Sequence, residues 1–538
     1  MNILKKSVFI LASGLLLGTL SGCGKTDTPK VKDPLVIPTV DVENLSVTLP
    51  EYPTYNTGNP KSEGDYDIID LYEVSDFHGA VDFKESSSGA YPGLARMATY
   101  FDSKRAENPG GTLILSSGDM FQGSADSNST RGYMVNYCMN YMGFDAMAIG
   151  NHEFDWTDAW IRKNANLAYG TRKIPYLGIN IQDKTTHAMP DFVTASTIVE
   201  RGEYKIGIIG AIGSELESSI LHSCVENYDF VPELELINTE AARLKSEDGC
   251  DAVVLLEHQG VPNIPSVQNV DAIFGGHAHE NKQESINQVP ALATKNYGRG
   301  IAHIQLKFDK TSKEISYGPH DIKTFTNSDK EGIAENAGIK AIMNEYAPSI
   351  NSIKNIELGE AKDDLAYNAA LKNICVKSMF DSATASLAAS TEIEKLDILA
   401  SFHNIDGGIR DDIKAGKITY GSVYAAFPFD NEVVLIKAKG SLLKNKMKNF
   451  ANFGVYRTFD TSADINVNNY YYIATTDYLA LSEAGFNGPL KSLSDADLIR
   501  TGAVVRDIVA EMIYQLDSIK SADFPNTAKG YEPIPMTF

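Results

Sequence analysis

Short apolar runs rich in Ile, Val and Leu recur through the first half of the chain, at 68–74, 113–115, 146–149, 253–256 and 272–274, most of them stopping at a Gly or Ser. Runs of this length and composition read as buried strands. Between them lie stretches of helical character, at 94–103, 134–142 and 234–245. The order strand, loop, helix predicts an α/β sheet. Strand-like residues continue at 301–308, and 333–353 reads as a helix, with Ile339, Ile342, Met343 and Tyr346 at helical spacing, placed to join two domains. Ahead of the first run, residues 24–65 hold six prolines among Thr, Lys, Asp and Asn with no period, which reads as an extended tether. No internal repeat is evident.

The polar residues that follow the apolar runs form five ordered blocks. They are Asp76-Phe77-His78-Gly79, Gly118-Asp119 with Gly123-Ser124, Gly150-Asn151-His152-Glu153-Phe154-Asp155, Glu257-His258-Gln259-Gly260 and Gly275-Gly276-His277-Ala278-His279. Each falls in the loop leaving a strand end, where open α/β sheets build their sites, so ligands from 76 to 279 can converge. The blocks supply carboxylate, amide and imidazole but no thiolate, and hold five of the ten histidines. That donor set argues for two divalent metals such as zinc, manganese or iron, not for a cysteine zinc site or an iron–sulfur cluster. Two cations about 3.5 to 4 Å apart can hold a hydroxide and clamp phosphoryl oxygens, so no protein nucleophile is required. His152 differs from its neighbours, because Asn151 offers the ligand and Asp155 lies three residues on. A histidine oriented by a carboxylate suits charge stabilisation or protonation of a leaving oxygen, and His152 with Asp155 is the expected catalytic pair. His187, His222, His303, His320 and His403 read as ordinary satisfied histidines. Glu153 and Glu257 read as loop supports or solvent-facing acids, and Asp126 and Asp158 as loop or cap residues.

In order and spacing the blocks resemble the calcineurin-like metallophosphoesterases, and the Gly-Asn-His-Glu-Phe-Asp block resembles their 5′-nucleotidase branch. The resemblance implies that Asp76, His78 and His279 hold one metal, that Asn151, His258 and His277 hold the second, and that Asp119 bridges both. It also implies two mixed sheets packed face to face with helices outside, a β-sandwich followed by an α+β substrate-binding domain. The second half supports this through Asp406-Gly407-Gly408-Ile409-Arg410, the stretch 416–421 and Phe427-Pro428-Phe429-Asp430-Asn431. By resemblance Arg410 binds the substrate phosphate, and Phe429 and Tyr478 flank the base. A guanidinium suits that task because its planar donors engage two oxygens at once. Three positions depart from the family pattern. Ala484 in Ser482-Glu483-Ala484-Gly485 replaces an aspartate, Ile405 replaces an asparagine with Asn404 displaced by one, and Asp363-Asp364-Leu365-Ala366-Tyr367 lacks a phosphate-binding arginine. Substrate preference is therefore where the resemblance is weakest.

Composition sets the surroundings. At 538 residues, 43% hydrophobic and 22% charged, the chain is long enough for two or three globular domains. The divisions expected are a signal at 1–23, the tether at 24–65, a metallophosphoesterase domain at 66–328, a linking helix at 329–353 and a substrate domain at 354–538. A formal net charge of −22 speaks against nucleic-acid polymers or an anionic membrane as electrostatically recruited partners. Lys5-Lys6, an apolar stretch at 8–20 and Leu20-Ser21-Gly22-Cys23 read as an export signal whose ending resembles the bacterial lipobox, which would leave a lipid anchor on Cys23 as the only membrane contact. Cys138, Cys224, Cys250 and Cys375 show no paired short spacing and read as free thiols. The expected protein is an exported, lipid-anchored phosphoesterase with two metals, acting on a small phosphorylated substrate, a nucleoside monophosphate, without an obligate protein partner. The alternatives are a 2′,3′-cyclic nucleotide phosphodiesterase, a UDP-sugar hydrolase, or a non-catalytic binding lipoprotein.

Overall fold

The computed structural model describes residues 32–446, 453–460, 464–481, 494–527 and 530–531. Two compact units divide the chain, one spanning Val40–Ile350 and the other joining Asn351–Phe538 to residues up to Thr39.

The first unit holds two large sheets and a separate two-stranded pair, Ile181–Asp183 with Tyr228–Phe230. In one, β1 (Tyr66–Glu73), β2 (Thr112–Ser116), β3 (Ala146–Ala148) and β4 (Tyr176–Leu177) lie in sequence order. The other contains β5 (Ser196–Arg201), β6 (Tyr204–Ile212), β7 (Ala252–His258), β8 (Ala272–Gly275), β9 (Lys282–Ile286) and β10 (Val289–Ala293), in the order β9-β10-β8-β7-β6-β5. The chain then returns to the first sheet through β11 (Gly300–Asp309) and β12 (Ile315–Thr324), so its order is β12-β11-β1-β2-β3-β4 with Ser62–Glu63 paired to β1. Helices α1 (Gly93–Glu107), α2 (Tyr133–Met142) and α3 (Leu234–Ser246) connect strands.

The reason the strands read as unbroken apolar runs is that both their faces are covered. On β1, Ile69 and Leu71 meet Val254 and Leu256 of β7 in the core between the sheets. Tyr72 and Val74 turn outward and join Leu94, Met97 and Phe101 of α1. On β7 the alternate pair, Val253 and Leu255, packs with Ile237, Ala241 and Leu244 of α3. Parallel registers, Leu71↔Leu113, Leu115↔Ala146 and Leu255↔Ile273 among them, set the C-terminal ends of neighbouring strands side by side. Each of the five apolar runs is a strand, and the three intervening helices stand where periodicity placed them.

Two stretches differ from expectation. Residues 32–61 do run without sheet or α-helix, but they are docked rather than free. In the first unit Val42 is buried, Tyr52 packs edge-on against Tyr169 at 5.6 Å, and the Tyr55 ring lies under Arg105 at 3.9 Å. In the second, the Leu35 N–H donates to Glu511 at 2.8 Å. Prolines keep such a segment extended, while tyrosines, with an apolar body and a polar tip, give it something to bury. The helix expected at 333–353 is α4 (Ala337–Lys354), preceded by a separate short turn at Asp329–Gly332. It starts late because Asn336 caps it, accepting from the Ile339 N–H at 3.1 Å.

The second unit contains β13 (Glu357–Ala361), α5 (Ala370–Ala389), β14 (Ile398–Asn404), β15 (Gly416–Thr419), α6 (Tyr420–Ala426), β16 (Glu432–Lys439), β17 (Phe453–Arg457), β18 (Tyr470–Thr476), α7 (Asp477–Leu481), β19 (Leu498–Val504), α8 (Val505–Leu516) and β20 (Ser518–Ile519). Five strands form a mixed sheet in the order β17-β14-β18-β16-β19, and three more pair as β15-β13-β20. Cys138, Cys224, Cys250 and Cys375 are not joined in disulfides. Among the described residues no helix is long and apolar enough to cross a membrane. The expected export signal and Cys23 lie outside the described residues, as does Ala484.

Candidate metal centre

The loops that follow β1, β2, β3 and β8, with the last residue of β7, bring their polar side chains to one place. Donor atoms of Asp76, His78 and His279 lie within 4.8 Å of one another, as do those of His78, Asp119 and His152 and those of Asp119, His258 and His277. Asn151 joins the last group, with Oδ1 at 3.1 Å from His258 Nε2 and 3.0 Å from His277 Nδ1. All seven expected ligands and His152 thus meet, and none of the five histidines read as ordinary belongs to a group.

Local backbone strain aims these groups. Asp76, His78, Asp119, His277 and His279 all have φ between +48° and +65°. Such left-handed residues other than glycine cost roughly 1 kcal/mol each and persist where the fold holds them for a purpose. Close packing of the loops also explains a glycine: a Cβ on Gly150 would come within 2.2 Å of Asp119 Oδ1.

Three acidic or carbonyl supports fix the ring nitrogens. His78 Nδ1 faces the Gln122 carbonyl at 3.0 Å and His258 Nδ1 faces that of Ser117 at 2.6 Å. A carbonyl only accepts, so each ring carries its proton on Nδ1 and turns the Nε2 lone pair inward. His152 Nδ1 is likewise 2.9 Å from Asp155 Oδ2. Glu73, at the end of β1, accepts from the Ser117 N–H at 3.1 Å, and burial pushes its carboxyl up to about 8. Glu153 supports two loops as expected, accepting from the backbone of Asp119, Met120 and Gly150. Burial and the adjacent Asp119 charge raise its carboxyl to about 7 against those hydrogen bonds. Glu257 departs from a solvent-facing reading: it is fully buried, and burial pushes its carboxyl well above the usual carboxylate range.

The donor set fits a divalent cation. Asp119 Oδ2 is buried without a hydrogen bond, although His258 Nε2 lies 3.2 Å away. Burial would lower the His258 pKa, yet the Asp119 and Asp76 carboxylates raise it to about 10, so these two anions favour positive charge at this spot. His277, pushed down to about 4 by burial and by His258, keeps a lone pair free.

In the second unit the Arg410 N–H donates to the Ala426 carbonyl at 2.9 Å, drawing its loop to the end of α6, and the guanidinium sits 5.2 Å from the Phe429 ring centre. Tyr478 is half-buried on α7, whose first residue Asp477 accepts from the Glu432 N–H at 3.0 Å and so ties α7 to the strand following Phe429. Arg506 was not foreseen. It donates to the carbonyls of Phe427 and Phe429 and to Asp430 Oδ1 at 2.6 Å, bracing that loop from inside. An arginine between Val505 and Ile508 in an apolar helix was the available signal.

Comparison with known proteins agrees with this geometry. Residues 70–281 match the calcineurin-like phosphoesterase family and residues 368–463 match the 5′-nucleotidase C-terminal domain. The 5′-nucleotidase of Mus musculus is 26% identical over 386 residues, covering 65% of each chain. An endonuclease from Bacillus subtilis is 24% identical over 404 residues, 70% of this chain, which spans only 32% of that protein's length. Among solved structures, a 5′-nucleotidase precursor from Thermus thermophilus shares the fold with a TM-score of 0.68 at 20% identity, over 84% of this chain and 97% of that one.

Proposed function

We infer that this chain, which belongs to the calcineurin-like phosphoesterases and carries a 5′-nucleotidase C-terminal domain, is a metal-dependent hydrolase that releases phosphate from nucleoside monophosphates. The observation that carries the reading is the convergence of carboxylate, amide and imidazole donors from five separate strand ends. In this reading Asp76, His78 and His279 hold one cation, Asn151, His258 and His277 hold a second, and Asp119 lies between them, with zinc, manganese or iron as the metals. When bound, such cations supply a hydroxide near neutral pH and neutralise phosphoryl charge. His152, its ring oriented through Nδ1 by Asp155, is in its protonated form the group that gives its Nε2–H to the leaving oxygen or stabilises the charge there. Arg410 engages the phosphate, and Phe429 and Tyr478 face the base.

A chain lacking its first 23 residues, supplied with zinc or manganese, tests this against AMP, UMP, a 2′,3′-cyclic nucleotide, UDP-glucose and a generic diester. Phosphate release fastest from AMP or UMP is expected. Preference for the cyclic nucleotide or UDP-glucose would transfer the assignment to those substrates. Release from none of them would sink it. We place the enzyme outside the cytoplasm, anchored through a lipidated Cys23, on the basis of Lys5-Lys6, the apolar stretch and Leu20-Ser21-Gly22-Cys23. C23S is expected to move the protein from the membrane pellet to the soluble fraction.

A further inference from the structure

His279 is held unlike the other inward-facing histidines. Its Nε2 points into the cluster, 3.0 Å from His78 Nε2 and 3.4 Å from Asp76 Oδ1. Its Nδ1 meets no carbonyl; it lies 3.1 Å from the side-chain amide nitrogen of Asn296, a residue only 5% exposed.

Which end of that amide faces the ring is decided by Arg299. Its guanidinium donates to Asn296 Oδ1, and because arginine can only donate, the oxygen must lie on that side. Arg299 is itself pinned. Its Nε donates to the Asn296 carbonyl at 3.1 Å, its Nη1 to Ser88 Oγ at 2.7 Å, and its charge lies over the stacked rings of Tyr91 and Tyr297. The amide NH2 is therefore aimed at His279 Nδ1, which must accept, and the neutral ring keeps its proton on Nε2. That is the opposite tautomer from His78 and His258, whose Nδ1 atoms donate to backbone carbonyls.

We propose that Asn296, locked by Arg299, is a positioning residue that makes the cation position built from Asp76, His78 and His279 the weaker of the two. A cation at His279 Nε2 displaces the proton there. The neutral ring then needs its proton on Nδ1, where it confronts the Asn296 NH2. Two donors face each other unless the amide turns over, and turning breaks its bond to Arg299. The second position meets no such conflict, since His258 Nδ1 faces the Ser117 carbonyl and goes on donating to it when a cation takes Nε2.

This inference rests on the two-cation reading. The test is a titration of the metal-stripped protein with zinc in competition with a chelating dye, which reads both binding steps directly. Outer partners of metal-bound histidines typically change affinity tenfold to a hundredfold. N296D supplies an oxygen to both His279 and Arg299 and is expected to tighten the weaker step at least tenfold while leaving the tighter one within about twofold. R299M frees the amide to turn and is expected to shift the same step in the same direction. A purely structural role for Asn296 would make N296D loosen binding. Two cations per chain with the weaker step unmoved or weakened in both variants would overturn the inference alone. Fewer than two cations per chain in the unaltered protein would overturn the two-cation reading and this inference with it.

Discussion

Glu153 carries Asp119 from below: its Oε2 accepts the Asp119 backbone N–H at 2.8 Å and, at the same distance, that of Gly150. Its other oxygen takes the Met120 N–H at 2.9 Å. One buried carboxylate thus joins the loop after β2 to the loop after β3, and the convergence of their donor side chains depends on that alignment.

Removing that carboxylate leaves three buried donors without an acceptor, and each costs about 1 to 3 kcal/mol. E153A is expected to lower the melting temperature by several degrees and to lose bound metal. E153Q, which keeps one carbonyl oxygen, should fall between E153A and the unaltered protein. Thermal unfolding with metal analysis of the same samples checks both; an E153A protein with full metal content would refute the support role.

His152 and Asp155 act on a different quantity. General acid–base groups contribute about a hundredfold to ten-thousandfold, so H152A is expected to lose that much in kcat with metal content unchanged. D155N should lose less, because the ring remains but its orientation and tautomer are no longer fixed. Near-normal turnover by H152A would remove His152 from the reaction.

Arg410 should be read in binding. Hydrogen bonds to charged groups are worth about 1.5 to 3 kcal/mol, so R410A is expected to raise KM for AMP tenfold or more, with R410K recovering only part. Initial rates across AMP concentrations decide it. An unchanged KM would leave the guanidinium as a partner of Phe429 alone.

His403 on β14 predicts a pH dependence of stability. Burial pushes its pKa down to about 4, against the help of the Asn404 carbonyl that accepts from Nδ1 at 2.7 Å. The unfolded residue titrates near 6.5, so between those values the unfolded chain binds the proton first. Stability is therefore full above about pH 6.5 and is lost as the pH falls toward 4, by about 3 kcal/mol at about 1.36 kcal/mol per pH unit. H403Q should flatten that slope by one proton, measured as urea midpoints between about pH 4.5 and 7.5. Parallel slopes in the two proteins would contradict it.

Some of this was legible along the chain because it is local. An apolar run followed by Asp76 and His78, or by His277 and His279, states a strand end and its donor side chains within a few residues, and the His152–Asp155 pair spans a single turn. Asn296 was not legible. It is 17 residues from His279 and becomes its neighbour only because β10 returns beside β8. Nor was the role of Glu73, whose place under Ser117 exists only through the pairing of β1 with β2. The docking of residues 32–61 was hidden for the same reason, since Tyr52 and Tyr55 name no partner until Tyr169 and Arg105 are in place.

The sequence by itself determined the strands, the ligand types and the reaction class they suit, since periodicity and donor chemistry are properties of neighbouring residues. Tertiary structure alone decided which nitrogen of each histidine faces inward and which partners hold it there. A tautomer is set by the group opposite the outer nitrogen, and for His78, His258 and His279 that group arrives from 17 to 141 residues away.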